Sequence, residues 1–409
     1  MSTAGQRPEW VLDLLALGRL QGDGLVPLDA EDLVATARAM TGLDDFGPPT
    51  WRAGYDRLVV ALQEEARLHA LGRLLARSEL LRNLENRLRV VEAHRRDPGL
   101  ADRAISAPWF VTGTARSGTS ILHELLAQDP AVRAPLAWEV LYSSPVAGRA
   151  ETREDRAALV EREVRMWDRI APEYLTMHEN GAELPLECIF LTSHEFASEH
   201  WSGVHDVPGY QRWLQRADLA PAYDWHRRHV QVLDAPPAGG WWVFKAPSHL
   251  SALPALFGAY PDAWVIQTHR DPLRTVPSTI SLMATLRRMR SDEVDVERLA
   301  AVMSTGVAAL FDWVRARRAD GTLPESRFID VRYTDLVADP VGTIRTVYER
   351  AGRDLTGEHA ERIRAYVAAK PQGRHGAHRY SLSEVGLDAD ALRARYAGYC
   401  EQYGVEPEG

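Results

Sequence analysis

The eight residues 113–120, Gly-Thr-Ala-Arg-Ser-Gly-Thr-Ser, set two glycines five positions apart at the end of an apolar, β-rich run and ahead of a helical pattern that begins near Ser117. A strand, a glycine-rich turn and a helix in that order make an anion cradle. Successive backbone N–H groups converge with the positive end of the helix dipole, so a phosphate or sulfate gains several donors without many side chains. The spacing follows the GxxxxGK[ST] frame of nucleotide triphosphatases, except that Thr119 stands where their lysine would be. Phosphoryl transfer relies on that lysine and on magnesium to offset concentrated charge. Here the cation has moved inside the loop, to Arg116, and no acidic strand end offers magnesium a seat. A sulfuryl group carries one negative charge fewer than a phosphoryl group, so an arginine and backbone amides suffice without a metal.

The loop resembles the 5′-phosphosulfate loop of sulfotransferases that use 3′-phosphoadenosine 5′-phosphosulfate (PAPS). It has the bacterial and Golgi-type form, with arginine where many cytosolic members carry lysine. The resemblance implies that Thr114, Arg116, Ser117, Gly118, Thr119 and Ser120 grip the 5′-phosphosulfate. A second segment agrees: in HRDPLRTVPS (269–278), Arg270 ends a strand and Ser278 follows eight residues later, on the second turn of the next helix. This is similar to the family's 3′-phosphate site. The segment 373–379, GRHGAHR, resembles the family's GxxGxxK loop over the same phosphate. Arg379 takes the lysine's place there, and Pro371-Gln372 replaces a preceding Arg-Lys pair, so the charge falls to Arg374 and Arg379. Tyr333-Thr334-Asp335-Leu336 resembles the YEDL turn, whose tyrosine lies near the adenine. The likeness runs from about Trp109 to Arg379, with gaps.

Sulfuryl transfer needs a base for the acceptor proton, cations for the departing oxygen, and an in-line arrangement at sulfur. Arg116 and Lys245, which ends the strand pattern WWVFK, are the cations. Two residues compete for the base. Glu139, in APLAWEVL, resembles the catalytic glutamate of tyrosylprotein and bacterial glycolipid sulfotransferases. His249, in KAPSHL, resembles the histidine of the cytosolic KTHLP motif with two extra residues inserted, and a neutral imidazole suits the task. His123, His178, Glu183, Glu187 and His194 have weaker claims and fit structural roles better. No histidines form HExxH, which sets a metalloprotease aside.

These groups need a rigid frame. Runs at 109–114, 241–245, 263–268 and 327–331 read as buried strands separated by helices, which predicts an α/β fold: a three-layer, P-loop-like domain around a parallel sheet. Its carboxyl edge is where PAPS would lie. Residues 10–96 repeat with helical period, with Leu58, Leu62, Leu68, Leu71, Leu75, Leu80, Leu84 and Leu88 as the apolar stripe. The expected organisation is a helical N-terminal domain over 1–105 and a sulfotransferase domain over 106–409. Within the latter, 151–237 forms a helical insertion whose aromatic residues either line an acceptor lid or fill the insertion's own core.

The 409 residues allow one large α/β domain with helical additions. A formal charge of -9 argues against a general nucleic-acid binder, so any anion site is local. Cys188 and Cys400 lack metal or disulfide spacing, and no leader or uninterrupted apolar stretch of membrane length is evident, which places the chain in the cytoplasm. The expected activity is sulfuryl transfer from PAPS, with no metal, to the hydroxyl of a small molecule such as a phenol or lipid alcohol. Two rivals stand beside it: a small-molecule kinase of the P-loop type, and a nucleotide-binding interaction protein, for which Glu139 and His249 would both be dispensable. Oligomeric state is left open.

Overall fold

Short segments rich in aromatic and β-branched residues pair into one sheet: β1 (Trp109–Gly113), β2 (Val132–Arg133), β3 (Trp241–Lys245), β4 (Trp264–His269) and β5 (Phe328–Arg332). In the computed structural model, which describes residues 7–146, 148–370 and 381–408, the strand order is β2-β3-β1-β4-β5. Every pairing is parallel, with Phe110 opposite Phe244 and Val265. All five residues of β1 and of β3 are buried, as strands covered on both faces must be. Trp109, Val111, Val243 and Ile266 pack on one face with Leu122, Leu125 and Leu126 of the loop helix Thr119–Leu126 and with the helices Pro340–Arg350 and Gly357–Ala369. The alternating residues Phe110 and Phe244 point the other way, onto Tyr260. Because β1 lies between β3 and β4, chain leaves its carboxyl edge on both sides, the position where open α/β sheets place ligands.

Four of the strands lie within a residue of the expected runs. β2 was not foreseen: two residues carry no periodicity, and Val132–Arg133 is a strand only through its pairing with Trp241 and Trp242.

The chain forms two compact units. One comprises Ile105–Ala134, Ala235–Ser281 and Asp295–Gly409 and holds the sheet. The other gathers Met1–Ala104, Pro135–Asp234 and Leu282–Val294. These units cut across a linear division at 105 and 106, for a physical reason. The helices Thr50–Glu64 and Ala70–Arg96 carry the leucine stripe, and Leu58, Leu62, Leu80, Leu84 and Leu88 bury it against Phe196, Trp201 and Tyr210 of the insertion. The insertion's aromatics therefore serve a core shared with the N-terminal helices, neither surface large enough to bury itself alone. Charge is buried here too. Arg87 donates to Glu195 at 2.5 Å, and Arg290 donates to Glu79 at 2.6 Å. Burial alone would raise the Glu79 carboxyl, but Arg290 and His200 outweigh it and hold it well below the usual carboxylate range.

In the sheet-bearing unit the helix Val296–Ala319 spans 24 residues and, by length and composition, contains an 18-residue window apolar enough to cross a membrane. Its apolar side meets the last helix, Ala389–Tyr403, where Phe311 stacks on Tyr399 at 3.9 Å. Ser304, Thr305 and Asp312 interrupt Val296–Ala319, so it holds no uninterrupted apolar run of membrane length.

Burial also fixes how the protein responds to acid. Desolvation lowers His205 to about 3 and His229 to about 4. Unfolded, each would protonate near pH 6.5, so below that pH the unfolded chain binds more protons and stability falls. Urea denaturation at pH 7 and pH 5 should show a loss of about 2 kcal/mol for each of these two histidines; an unchanged unfolding free energy would contradict their burial as neutral rings.

Candidate active site

Where β1 ends, the backbone takes two conformations that side chains resist. Gly113 has φ 141° and Gly118 has φ 94°. A Cβ on Gly113 would stand 2.3 Å from the Thr268 hydroxyl, and one on Gly118 would stand 2.6 Å from the Tyr333 ring. Glycine is required at both. Ser117 closes the turn, its N–H donating to the Thr114 carbonyl at 3.2 Å and its hydroxyl to the same oxygen at 2.6 Å. That hydroxyl also lies 2.6 Å from Thr268 Oγ1 on β4. Ser117 therefore shapes the cradle with its side chain. Thr119 opens the helix, buried, and Ser120 Oγ accepts from Lys245 Nζ at 3.2 Å. Lys245 is only 2% exposed, which brings the ammonium at the end of β3 directly to the loop.

Arg116 adopts φ 70°, a left-handed conformation that costs a non-glycine residue roughly 1–2 kcal/mol. Its neighbours account for it. Arg116 Nε donates to Ser278 Oγ at 3.1 Å, and Arg270 Nη1 donates to the Arg116 carbonyl at 3.0 Å. Thr279 Oγ1 donates to the Ala115 carbonyl at 3.3 Å. The guanidinium of Arg270 lies over the Tyr333 ring at 3.8 Å, the same ring that blocks a side chain at Gly118. The segment after β4 is thereby laced to the loop after β1. Ser278 sits 2% exposed on the second turn of the helix Pro272–Arg288. Arg116, Arg270, Ser278, Tyr333 and Lys245 thus converge on one loop at the carboxyl ends of β1, β3 and β4, giving an acidic protein a local cationic site.

The two base candidates have contrasting surroundings. Glu139 is 3% exposed, in the short helix Ala137–Leu141, and its Oε2 accepts from the Leu136 N–H at 2.9 Å. His249, 1% exposed, lies in the helical turn Pro247–Ser251, its ring edge-on to Phe110 with centroids 4.9 Å apart. That contact packs the ring against β1. Of the weaker candidates, His123 reaches the Val243 carbonyl at 3.2 Å, His178 reaches that of Glu179 at 2.8 Å, and His194 stacks on His229. Glu183 is near Arg153 on the surface at 3.5 Å, and Glu187 lies 3.9 Å from His178. Arg374 and Arg379 lie outside the described residues. Among the described residues, no group of three or more His, Cys, Asp or Glu side chains gathers as metal ligands would.

Three contacts had no signal in the sequence. Thr268 and Thr279 brace the loop from β4 and the following helix. Glu408, from the segment after the last helix, meets Arg270 in a two-pronged ion pair.

A model of the Sulfotransferase family matches residues 108–357. Among curated proteins, omega-hydroxy-beta-dihydromenaquinone-9 sulfotransferase Stf3 of Mycobacterium bovis and that of Mycobacterium tuberculosis are each 26% identical over 267 residues. The match takes in 64% of this chain and 66% of those relatives, just under two thirds of their length. Among solved structures, sulfotransferase STF1 of Mycobacterium tuberculosis H37Rv superposes with a TM-score of 0.78 at 32% identity, over 91% of this chain and 99% of that one. Sulfotransferase STF9 of Mycobacterium avium gives 0.82 at 28%, over 94% and 98%.

The loop's geometry makes a direct prediction. Gly118→Ala should cost about 1–3 kcal/mol in urea denaturation, through the strained φ and the collision with Tyr333; a variant as stable as the parent would mean that the loop does not hold this conformation.

Proposed function

From the premise that this chain belongs to the Sulfotransferase family, whose model spans residues 108–357, we propose that it moves a sulfuryl group from PAPS to a hydroxyl of a small-molecule acceptor. The observation that carries the reading is the linkage of Arg116, Ser278 and Arg270 by hydrogen bonds of 3.1 and 3.0 Å. It supports a ligand with two anionic groups, one at the glycine turn and one at the turn after β4.

In this reading Thr114, Arg116, Ser117, Gly118, Thr119 and Ser120 hold the 5′-phosphosulfate, largely through backbone N–H groups and the helix dipole. Arg270 and Ser278 take the 3′-phosphate, and Tyr333 sits by the adenine. The acceptor oxygen attacks sulfur as the bond from sulfur to the bridging phosphosulfate oxygen breaks. The electron pair leaves with adenosine 3′,5′-bisphosphate, where Arg116 and Lys245 stabilise the developing charge. A base takes the acceptor proton. The packing of His249 against Phe110 favours Glu139 for this role. Stf3, by its name, sulfates omega-hydroxy-beta-dihydromenaquinone-9, which supports a lipid alcohol as the acceptor class, with phenols next.

Incubation with PAPS and a panel of lipid alcohols, phenols and sugars, followed by mass spectrometry, should yield a sulfate ester and adenosine 3′,5′-bisphosphate; no sulfated product from any acceptor class would count against the activity. Glu139→Gln should lower kcat by roughly 10²–10⁴-fold, whereas His249→Asn should leave kcat within about tenfold of the parent. The reverse pattern would move the base to His249. Arg270→Ala should weaken adenosine 3′,5′-bisphosphate binding by roughly 10- to 150-fold in calorimetry, the value of a charge-assisted contact. Unchanged affinity would remove Arg270 from the nucleotide site.

A further inference from the structure

The guanidinium of Arg270 is fully committed. Nη1 donates to the Arg116 carbonyl at 3.0 Å, and one face lies on Tyr333. The remaining edge, the one that grips planar oxyanions in pairs, is taken by Glu408: Nε donates to Oε1 at 2.8 Å and to Oε2 at 3.1 Å, and Nη2 donates to Oε2 at 2.8 Å. Both side chains are largely buried, at 20% and 19% exposure. This is a desolvated fork, stronger than an ordinary surface pair.

The segment that delivers Glu408 is fastened along its length. It leaves the helix Ala389–Tyr403 at Gly404, and the Val405 N–H donates to the Cys400 carbonyl at 2.9 Å. At its far side the Glu408 N–H donates to Asp271 Oδ2 at 2.9 Å, and Arg274 Nη2 donates to the Glu408 carbonyl at 3.0 Å. Backbone and side chain of one residue are thus both seated on the turn Arg270–Arg274 that follows β4.

We propose that Glu408 is a tethered competitor for the 3′-phosphate of the nucleotide, an autoinhibitory strap that must be lifted before a bisphosphorylated nucleotide binds fully. The proposal rests on the reading of Arg270 as the 3′-phosphate ligand. A carboxylate and a phosphate ask the same two N–H groups of an arginine fork for the same geometry, so the two cannot share this edge. A nucleotide with a 3′-phosphate displaces the strap and bears the cost of doing so, which weakens its apparent affinity by the fraction of time the strap is closed. A nucleotide without that phosphate leaves the strap in place. Anything that drew the segment away, such as a cationic surface or a modification of its neighbours, would raise nucleotide affinity without touching the phosphosulfate loop.

Isothermal titration calorimetry of the full chain tests this, with adenosine 3′,5′-bisphosphate and adenosine 5′-monophosphate as probes. Glu408→Gln should bind the bisphosphate roughly five- to thirtyfold tighter than the parent, with the monophosphate changed by less than about twofold. In an Arg270→Ala background the Glu408→Gln effect should vanish, because strap and phosphate would have nothing left to contest. Arg274→Ala, which loosens the strap from its backbone side, should shift bisphosphate affinity in the same direction as Glu408→Gln. Bisphosphate affinity unchanged or weakened by Glu408→Gln, while Arg270→Ala still weakens binding, overturns the strap and leaves the nucleotide site standing. No uptake of the bisphosphate by parent or Glu408→Gln overturns both.

Discussion

The left-handed backbone of Arg116 is the constraint on which the site depends. At φ 70°, a non-glycine residue stays put only when its surroundings over-determine it. Here they do so twice, through its side chain on Ser278 and through its carbonyl under Arg270. The strain has a structural meaning. It turns the Arg116 side chain toward the segment after β4, so the turn after β1 and the turn after β4 become one object. The glycine loop supplies backbone donors, while the arginines, with Lys245 at Ser120, supply charge.

The rest of the sheet-bearing unit serves that junction. Parallel strands in the order β2-β3-β1-β4-β5 put the carboxyl ends of β3, β1 and β4 side by side. Buried aromatic and aliphatic residues on both faces fix their register, and Thr268 on β4 ties to Ser117 in the loop. The arrangement asks little of the loop's side chains beyond glycine where a Cβ would collide. This explains how Thr119 can stand where triphosphatases need lysine: the positive charge arrives from Arg116 and from neighbouring strands. In the helical unit the same economy holds, since the leucine stripe of the N-terminal helices and the aromatics of the insertion cover one another.

Much of this was legible in the sequence. The loop 113–120, the eight-residue step from Arg270 to Ser278 and the strand-end Lys245 are local patterns, and local patterns survive in one dimension. The four longer strands were readable as apolar runs, whereas β2 was not, because two residues have no pattern of their own. The compact units were not readable either: burying 28–88 against 196–222 is a match between distant surfaces, and nothing at 105 announces it. The same holds for Glu408, whose partner is 138 positions away with no spacing rule to connect them. The phenyl ring of Phe110 against the edge of His249 is likewise a contact of which the sequence gives no sign.

The most direct measurement is a crystal structure of the chain with adenosine 3′,5′-bisphosphate. The account predicts one phosphate against the backbone of 113–120 and the other on the Nε and Nη2 edge of Arg270 beside Ser278, with the Arg116 linkage intact and the Glu408 carboxylate displaced. A nucleotide bound elsewhere, or one bound at the loop with its 3′-phosphate turned away from Arg270 and Ser278, would contradict it.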